Sequence, residues 1–181
     1  MSSVPILETE RLRAFGADDF ETYARWCGDV EAMRFIGDGK PMTRDEAWRG
    51  LAMVIGHWSL RGYGLWAAEE KTSGELIGRI GLYRPEGWPG LEVGWLVARE
   101  RWGEGFAPEG AAAAMHHAFD VLSEPRLLSL IQPGNVASIR VAEKLGEHFD
   151  GQIDVRGKLV DVYAIEQQTW GSTESAQAQP A

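Results

Sequence analysis

The sequence predicts a single mixed α/β (α+β) domain with a central, largely antiparallel sheet. Its 181 residues are 44% hydrophobic and 25% charged, a balance that suits one globular domain with a substantial core. Helical and strand periodicities follow one another over residues 11–165, and no repeat period or linker interrupts them. We therefore expect one domain over residues 1–170. The polar tail at 171–181 has no apolar periodicity and is predicted to be disordered.

The first elements are a short strand over residues 11–15 and a helix over 17–27. Acidic residues at positions 18 and 19 begin this helix, and apolar side chains recur along it at the spacing of one helical face. A short helical piece is predicted around residues 30–36.

A capping box, Thr43-Arg-Asp-Glu46, marks the start of a long helix. The Thr43 side chain can accept from the Glu46 amide, and the Glu46 side chain can accept from the Thr43 amide. The helix is expected to end near Leu60, just before a glycine at position 62. Its predicted core-facing stripe consists of Trp48, Leu51, Ala52, Ile55 and Trp58.

Three strands are expected next. Residues 65–70 and 75–83 flank the turn Lys71-Thr-Ser-Gly74 and predict a hairpin, and a further strand covers residues 91–98. The remaining predicted elements are a helix over 108–122, a strand over 127–131, a helix over 137–145, and two strands over 149–155 and 159–165.

Charge and composition narrow the classes of partner. With 27 acidic and 18 basic side chains, the net charge of −9 argues against binding to nucleic acid or to an anionic membrane and favours a cationic partner such as an amine. The single cysteine, Cys27, cannot form an intramolecular disulfide. No signal peptide or apolar membrane span is apparent, and the four histidines lack a metal-binding spacing, so we expect a cytoplasmic protein without a metal.

The most informative segment is a glycine-bearing turn between the strand at 91–98 and the helix that follows. Gly103 and Gly105 allow close approach of a ligand to the backbone, and the amides of residues 103–107 lie at the positive end of the helix dipole. Such a turn suits a pyrophosphate held by backbone amides. The segment matches neither a P-loop nor a dinucleotide fingerprint, and the residue types alone also permit an ordinary strand-to-helix connection.

The segment Trp102-Gly-Glu-Gly-Phe-Ala107 resembles the acetyl-CoA pyrophosphate-binding arm of the GNAT superfamily of N-acetyltransferases. The form found here is typical of the group that acetylates the N-terminal alanine or serine of ribosomal proteins. Segments similar to other parts of that group occur in the same order at residues 7–13, 74–82, 92–97 and 135–146. The resemblance therefore covers residues 7–170.

The resemblance implies a GNAT fold, with a sheet of about seven strands that splays apart between strands 4 and 5. The pantetheine arm of acetyl-CoA then lies in the gap. Residues that the resemblance places against acetyl-CoA are Trp95, Leu96, Val97, Trp102, Gly103, Glu104, Gly105, Phe106, Ala107, Pro108, Asn135 and Ser138.

The implied mechanism is direct attack of a neutral primary amine on the thioester, without a covalent acyl-enzyme. Glu92 is the candidate general base; alternatively it neutralises an arginine or lies on a solvated face. Many relatives use a tyrosine to protonate the departing thiolate, but that position is Ala142 here, which leaves Ser138 as the candidate acid. Ser138 is also suited to bonding an amide at a helix start. Glu147 replaces a phenylalanine that is common in the family.

The acceptor side is less defined. The resemblance places its pocket at residues 33–42 and 84–90, where Trp88 either covers a substrate or packs on its own loop. A protein N-terminus, an amino acid, a polyamine and an aminoglycoside all remain open as acceptors.

The sequence thus predicts an acetyl-CoA-dependent N-acetyltransferase, with a non-catalytic acyl-CoA binding or sensing domain as the alternative. Dimers are common in the family, so a homodimer is one expected assembly. The acidic residues that favour a cationic acceptor are Glu31, Asp38, Asp45 and Glu46.

Overall fold

The structure is a computed structural model that describes residues 12–13 and 15–170. The predicted tail at 171–181 and most of the opening segment at 7–13 lie outside the described residues. The strands are β1 (Leu12–Arg13), β2 (Leu65–Glu70), β3 (Glu75–Tyr83), β4 (Glu92–Val97), β5 (Arg126–Ile131), β6 (His148–Val155) and β7 (Lys158–Glu166). The α-helices are α1 (Phe20–Cys27), α2 (Val30–Met33), α3 (Arg44–Arg61), α4 (Phe106–His116) and α5 (Val136–Lys144).

All the described strands belong to one seven-stranded sheet in the order β1-β2-β3-β4-β5-β7-β6. Neighbouring strands are antiparallel except for β4 and β5, which run parallel. The expected mixed, mostly antiparallel sheet is therefore confirmed. The β2–β3 hairpin has the predicted bounds.

The long helix α3 begins and ends where its local signals predict. The Thr43 side chain accepts from the Glu46 amide, the Glu46 side chain accepts from the Thr43 amide, and Gly62 ends the helix with φ of 76°. The predicted core stripe is partly wrong, because Trp48 is 60% exposed and Ile55 is 39% exposed. Ala52 is exposed as well, whereas Leu51 and Trp58 are buried as expected, so the buried stripe is rotated from the predicted one. The residues that α3 buries are Ala47, Leu51, Val54, His57 and Trp58.

Helix α4 begins two residues before the predicted Pro108. Gly105 is its N-cap, in a left-handed conformation with φ of 86°, and Phe106 is the first helical residue. Pro108 is tolerated as the third helical residue because the amides of the first turn have no partner within a helix. The helix continues as a π-helical turn over His117–Val121.

The two faces of the sheet carry separate cores. Helix α4 packs on one face, where Ala111 and Met115 lie in the same core as Ile80 and Val93 of the sheet. Helices α1 and α3 pack on the other face, and the core there includes Leu96. Both faces of the central strands are thus covered, so a ligand can reach β4 only where the sheet itself opens.

Candidate active site

The sheet opens between β4 and β5. The two strands share a single register pair, Glu92 with Leu128, next to a hydrogen bond from the Leu128 amide to the Leu91 carbonyl (3.1 Å). Beyond this pair the ladder stops, and the strands diverge toward their C-terminal ends. The expected splay between strands 4 and 5 is confirmed.

Side chains satisfy the backbone groups at which the ladder stops. Ser129 donates its hydroxyl proton to the Val93 carbonyl (2.9 Å), and the Leu130 backbone donates to the Glu92 carboxylate. In a continued parallel ladder, the Leu130 amide would instead donate to the Val93 carbonyl. Side chains therefore hold the opening of the gap.

The backbone groups that face the gap belong to alternate residues of β4. The Ala98 amide donates to the Ile77 carbonyl (2.7 Å), so these two residues form a hydrogen-bonded pair of the β3–β4 ladder. Hydrogen-bonded pairs alternate along an antiparallel ladder, and the backbone groups of Leu96 therefore point to β3. The backbone groups of Trp95 and Val97 point to the gap. The prediction that Leu96 offers free backbone groups to a ligand is therefore wrong. The alternation of backbone directions along β4 excludes a ligand from the backbone groups of Leu96, and the Leu96 side chain is only 5% exposed.

A cavity of about 70 Å³ lies at the gap. It brings together four predicted site residues from distant parts of the chain: Glu92, Trp95, Asn135 and Ser138. Its full lining is Phe35, Ile36, Glu92, Val93, Gly94, Trp95, Ser129, Leu130, Ile131, Gln132, Asn135 and Ser138.

Glu92 lines this cavity with a titratable carboxyl group. Burial raises its pKa from 4.5 to about 7, against the opposing effects of the Trp88 indole, the Arg79 charge and the Leu130 amide. The Trp88 Nε1 donates to Glu92 Oε2 at 2.7 Å. A carboxyl group with this pKa is partly ionised near neutral pH and is matched to proton transfer at that pH.

Ser138 lies across the cavity, at the start of α5. Asn135 caps this helix by accepting from the Ser138 amide (3.2 Å), and its side-chain amide donates to Ser138 Oγ (3.0 Å). The Trp95 indole donates to the same oxygen at 3.3 Å. Because both side-chain partners are donors, the hydroxyl proton of Ser138 is left to donate to another group.

The glycine turn follows β4 outside the cavity lining. Gly103 and Gly105 have φ of 83° and 86°, and a Cβ at either position would meet nothing within 4 Å. Within residues 15–170, the amides of Gly103, Gly105 and Ala107 donate to no hydrogen-bond acceptor. Amides in a glycine turn at a helix N-terminus suit an anionic ligand.

Neighbouring side chains anchor this turn. The Trp102 indole donates to the Val97 carbonyl at 2.8 Å, and Phe106 is 6% exposed in the core beneath α4. Arg101 forms an ion pair with Glu70 and lies over the Phe106 ring, 5.1 Å from its centroid. Glu104 lies 3.5 Å from Arg101. The turn is thus held by contacts on its inner side.

A second carboxyl group, missed as a site residue in the sequence, lies behind the cavity wall. Glu147 is 3% exposed, and its Oε1 lies 3.1 Å from Ser129 Oγ. Ser129 has a single hydroxyl proton and two acceptors within reach, the Val93 carbonyl and Glu147 Oε1, so it donates to one of them at a time. Burial raises the pKa of Glu147 to about 8, and the nearby Glu92 charge adds to the shift. The sequence did carry a signal for this residue, because Glu147 stands where the family commonly has a phenylalanine.

The loop residue Trp88 packs on its own surroundings. Its ring meets Tyr83 edge-on with centroids 5.3 Å apart, and the Arg156 guanidinium lies 5.3 Å from the Trp88 centroid. Together with its bond to Glu92, these contacts make Trp88 a support for the carboxylate.

The acidic residues expected near the acceptor pocket have local partners. Glu31 lies 3.8 Å from Arg34, and Lys158 lies 3.0 Å from Asp38. The others belong to the start of α3: Asp45 pairs with Arg49, and Glu46 is part of the capping box. These carboxylates therefore do not converge on the cavity.

Two further findings concern the described part of the chain. It contains no helix with the length and apolarity needed to cross a membrane. It also contains no cluster of three or more histidine, cysteine, aspartate or glutamate side chains arranged to hold a metal ion.

Comparison with known proteins identifies the class to which this sheet and gap belong. A family model described as an acetyltransferase (GNAT) domain matches residues 11–148, well over half of the chain. The protein YkkB of Bacillus subtilis is 32% identical over 173 residues, which cover 90% of this chain and 96% of that protein. The chain belongs to the GNAT acetyltransferase family, and it is an acyltransferase enzyme with the GNAT fold.

Two further relatives agree with this family. The N-acetyltransferase p20 of Bacillus licheniformis is 27% identical and covers 87% of this chain and 92% of its own. The crystal structure of an acetyltransferase from Agrobacterium tumefaciens is similar with a TM-score of 0.81 and 30% identity, covering 92% of this chain and 96% of that one.

Proposed function

We propose that the protein transfers an acetyl group from acetyl-CoA directly to a primary amine. The observation that carries this proposal is the gap between β4 and β5, where Glu92 and Ser138 line one cavity and the Trp95 backbone faces it. When bound, acetyl-CoA supplies an activated acyl group as a thioester.

The residues present fit this cosubstrate. The backbone groups of Trp95 and the amide of Val97 face the gap, where the amides of a pantetheine arm can pair with them, while the Val97 carbonyl accepts from Trp102. Beyond the end of β4, the amides of Gly103, Gly105 and Ala107 suit the pyrophosphate, since they lie at the positive end of the α4 dipole.

Glu92 acts as the general base in this proposal. It takes a proton from the incoming ammonium, directly or through a water, so that the neutral amine forms the new C–N bond. The Trp95 amide donates to the oxygen on which negative charge develops. Ser138 donates its hydroxyl proton to the sulfur as the C–S bond breaks. The nitrogen loses its second proton through water as the amide forms, and that proton restores the Ser138 hydroxyl. Trp95 and Asn135 hold the Ser138 oxygen in place for this step.

The turn motif at residues 102–107 resembles that of the ribosomal-protein N-terminal acetyltransferase group. That likeness supports the cosubstrate rather than the acceptor, because the motif handles the pyrophosphate. It does not choose between a protein N-terminus and a small-molecule amine.

Glu92→Gln tests the proposal. We expect kcat/KM, measured as amine-dependent release of free thiol, to fall by about 100-fold or more, because the base is lost while the shape is kept. The Kd for acetyl-CoA, followed by tryptophan fluorescence, should be unchanged.

Glu86→Gln is the matched control, since Glu86 belongs to the same loop region and its side chain is 98% exposed. It should leave both quantities unchanged. If acetyl-CoA binds but no amine in a broad panel releases thiol, the protein is a non-catalytic acyl-CoA binding domain. If acetyl-CoA does not bind, the gap between β4 and β5 is not an acetyl-CoA site.

A further inference from the structure

An arginine and the proposed base share one face of the sheet. The β3 residue Arg79 is paired with Leu96, and four register steps farther along the strands, or two on the same face, Tyr83 is paired with Glu92. Leu96 belongs to the core under α1 and α3, so by the alternation of strand side chains Arg79 and Glu92 lie on that same face. The face between them has no side chain, because the intervening pair is Gly81 with Gly94.

Arg79 has an unsatisfied donor. Its Nε atom is buried and has no hydrogen-bond acceptor, and among the described residues no carboxylate lies within 4.0 Å of its guanidinium. A buried guanidinium nitrogen without an acceptor is costly. A ligand cannot reach this buried nitrogen, but the Arg79 side chain as a whole is only half-buried, so a carboxylate would bind the outer nitrogens of the guanidinium.

Arg79 does not line the cavity, but its charge acts on groups beside it and on Tyr23 and Cys27 of α1. Its positive charge lowers the pKa of Glu92 and opposes the rise in the pKa of Tyr83, so the three groups are neighbours. Arg79 and Glu92 nevertheless do not form an ion pair. Their charged ends are therefore close but separated, an arrangement that suits a ligand carrying a positive group at one end and a negative group at the other.

The remaining charges near this face disfavour a polycation. Glu31, Asp38 and Asp45 each have a local basic partner. Arg156 adds positive charge beside Tyr83 and Trp88. A polyamine or an aminoglycoside would place several ammonium groups against these arginines.

We propose that the acceptor is an amine that also carries a carboxylate, with a free α-amino acid as the simplest member of the class. Arg79 binds the carboxylate, and Glu92 accepts the proton from the ammonium. This inference rests on the proposed function and adds the chemical class of its acceptor.

The reaction balances with these groups. The ammonium of the amino acid transfers one proton to Glu92, the freed nitrogen forms a bond to the acetyl carbon, and the C–S bond breaks with the electron pair on sulfur. As the amide forms, the nitrogen loses its second proton through water, and the sulfur takes the hydroxyl proton of Ser138, which that proton replaces. The products are an N-acetylated amino acid, which keeps its carboxylate, and the free thiol of CoA. The charge on Arg79 is the same before and after the reaction.

Matched substrate pairs test the proposal on the unaltered protein. Each pair is an amino acid and the amine that lacks its carboxylate: histidine with histamine, phenylalanine with phenethylamine, lysine with cadaverine. We expect kcat/KM to be about 100-fold higher for the amino acid in at least one pair, because an amine alone leaves Arg79 without its anion. Amino acid amides, which mimic a protein N-terminus, should behave like the amines.

Arg79→Met then assigns the preference to this residue. The variant should lose the discrimination through an increase in KM for the amino acid, with the Kd for acetyl-CoA unchanged, and Arg79→Lys should restore part of it. Assays belong at pH 8.5 or above, since loss of the Arg79 charge raises the pKa of Glu92. Arg49→Met is the control, because Arg49 is exposed on α3 and pairs with Asp45.

The outcomes separate the two proposals. If amines and amides are acetylated as well as the amino acids, or if Arg79→Met keeps the preference, this inference is overturned while the proposed function stands. If acetyl-CoA binds but no compound of any kind releases thiol, the proposed function itself fails.

Discussion

Glu92 and Glu147 acquire different properties from their surroundings, although both are glutamates close to the same gap. Glu92 accepts from the Trp88 indole and the Leu130 backbone and feels the Arg79 charge, and its pKa is about 7. Among the described residues Glu147 has one side-chain hydrogen-bond partner, Ser129, at Oε1 and none at Oε2, and its pKa is about 8. Glu92 therefore ionises at the lower pH and is the group suited to act as a base, while Glu147 remains a hydrogen-bond donor at neutral pH.

Trp88→Phe is expected to move the pH dependence of the reaction. The indole N–H stabilises the charged form of Glu92, so its removal raises the Glu92 pKa above about 7. The acid limb of kcat/KM should shift to higher pH, while the rate at the plateau changes little.

A pH–rate profile of both proteins checks this shift. Trp48→Phe is a suitable control, because Trp48 is 60% exposed on α3 and distant in sequence from the gap. An acid limb that stays in place in Trp88→Phe would show that Glu92 is not the titrating base.

At the scale of elements, the site arises where β4 leads into α4. Strand β4 is bonded on one side to β3 and on the other only at its beginning to β5. Its far end continues through the glycine turn to the N-terminus of α4. One strand–turn–helix unit therefore presents backbone groups to both the gap and the turn, and the chain needs few charged side chains to hold a polyanionic ligand.

Gly105→Asp, compared with Gly105→Asn, tests the turn. Asparagine and aspartate both tolerate the left-handed conformation at φ of 86°, so the two variants share the same backbone strain and differ in charge. We expect the Kd for acetyl-CoA to be about tenfold higher for Gly105→Asp than for Gly105→Asn, because a carboxylate at the helix N-terminus repels the pyrophosphate.

Tryptophan fluorescence titration of the two variants measures this difference. It should shrink at high ionic strength, since salt screens exposed charges. Equal Kd values for Gly105→Asp and Gly105→Asn at low ionic strength would show that the turn does not bind the pyrophosphate.

At the scale of the whole molecule, the opening of the sheet places carboxyl groups in poorly solvated positions. The ordinary pKa of both groups is 4.5, and both are raised in the folded protein. Between pH 4.5 and the raised values the folded state binds more protons than the unfolded state. The free energy of unfolding therefore decreases as pH rises through this range.

Glu147→Gln should remove the larger part of this pH dependence. Glutamine keeps a donor for Ser129 and does not titrate. The stability of the variant relative to the parent protein should rise between pH 5 and about 8, by up to about 1.4 kcal/mol per pH unit, and then level off.

Urea unfolding at a series of pH values measures the effect. Glu124→Gln, which alters a carboxylate that pairs with Arg84 and does not line the cavity, serves as the comparison. A constant stability difference between Glu147→Gln and the parent over this range would show that Glu147 is ionised in the folded state at neutral pH.

The sequence by itself determined the features that depend on a few consecutive residues. The capping box at Thr43–Glu46, the glycine end of α3 at Gly62, and the β2–β3 hairpin follow from local hydrogen bonds and backbone conformation. Motif order along the chain also placed Glu92, Asn135 and Ser138 in one site, and the three do line one cavity.

Only the tertiary structure decided which side chains meet across the sheet. It turned Trp48 outward, directed the backbone of Leu96 to β3, brought Glu147 behind Ser129, and left Arg79 Nε without an acceptor on the sheet face that carries Glu92. Each of these outcomes depends on the register of two strands or on the rotation of a helix against the sheet. Such contacts join residues far apart in the chain, and their energies come from burial and partners that no local pattern contains.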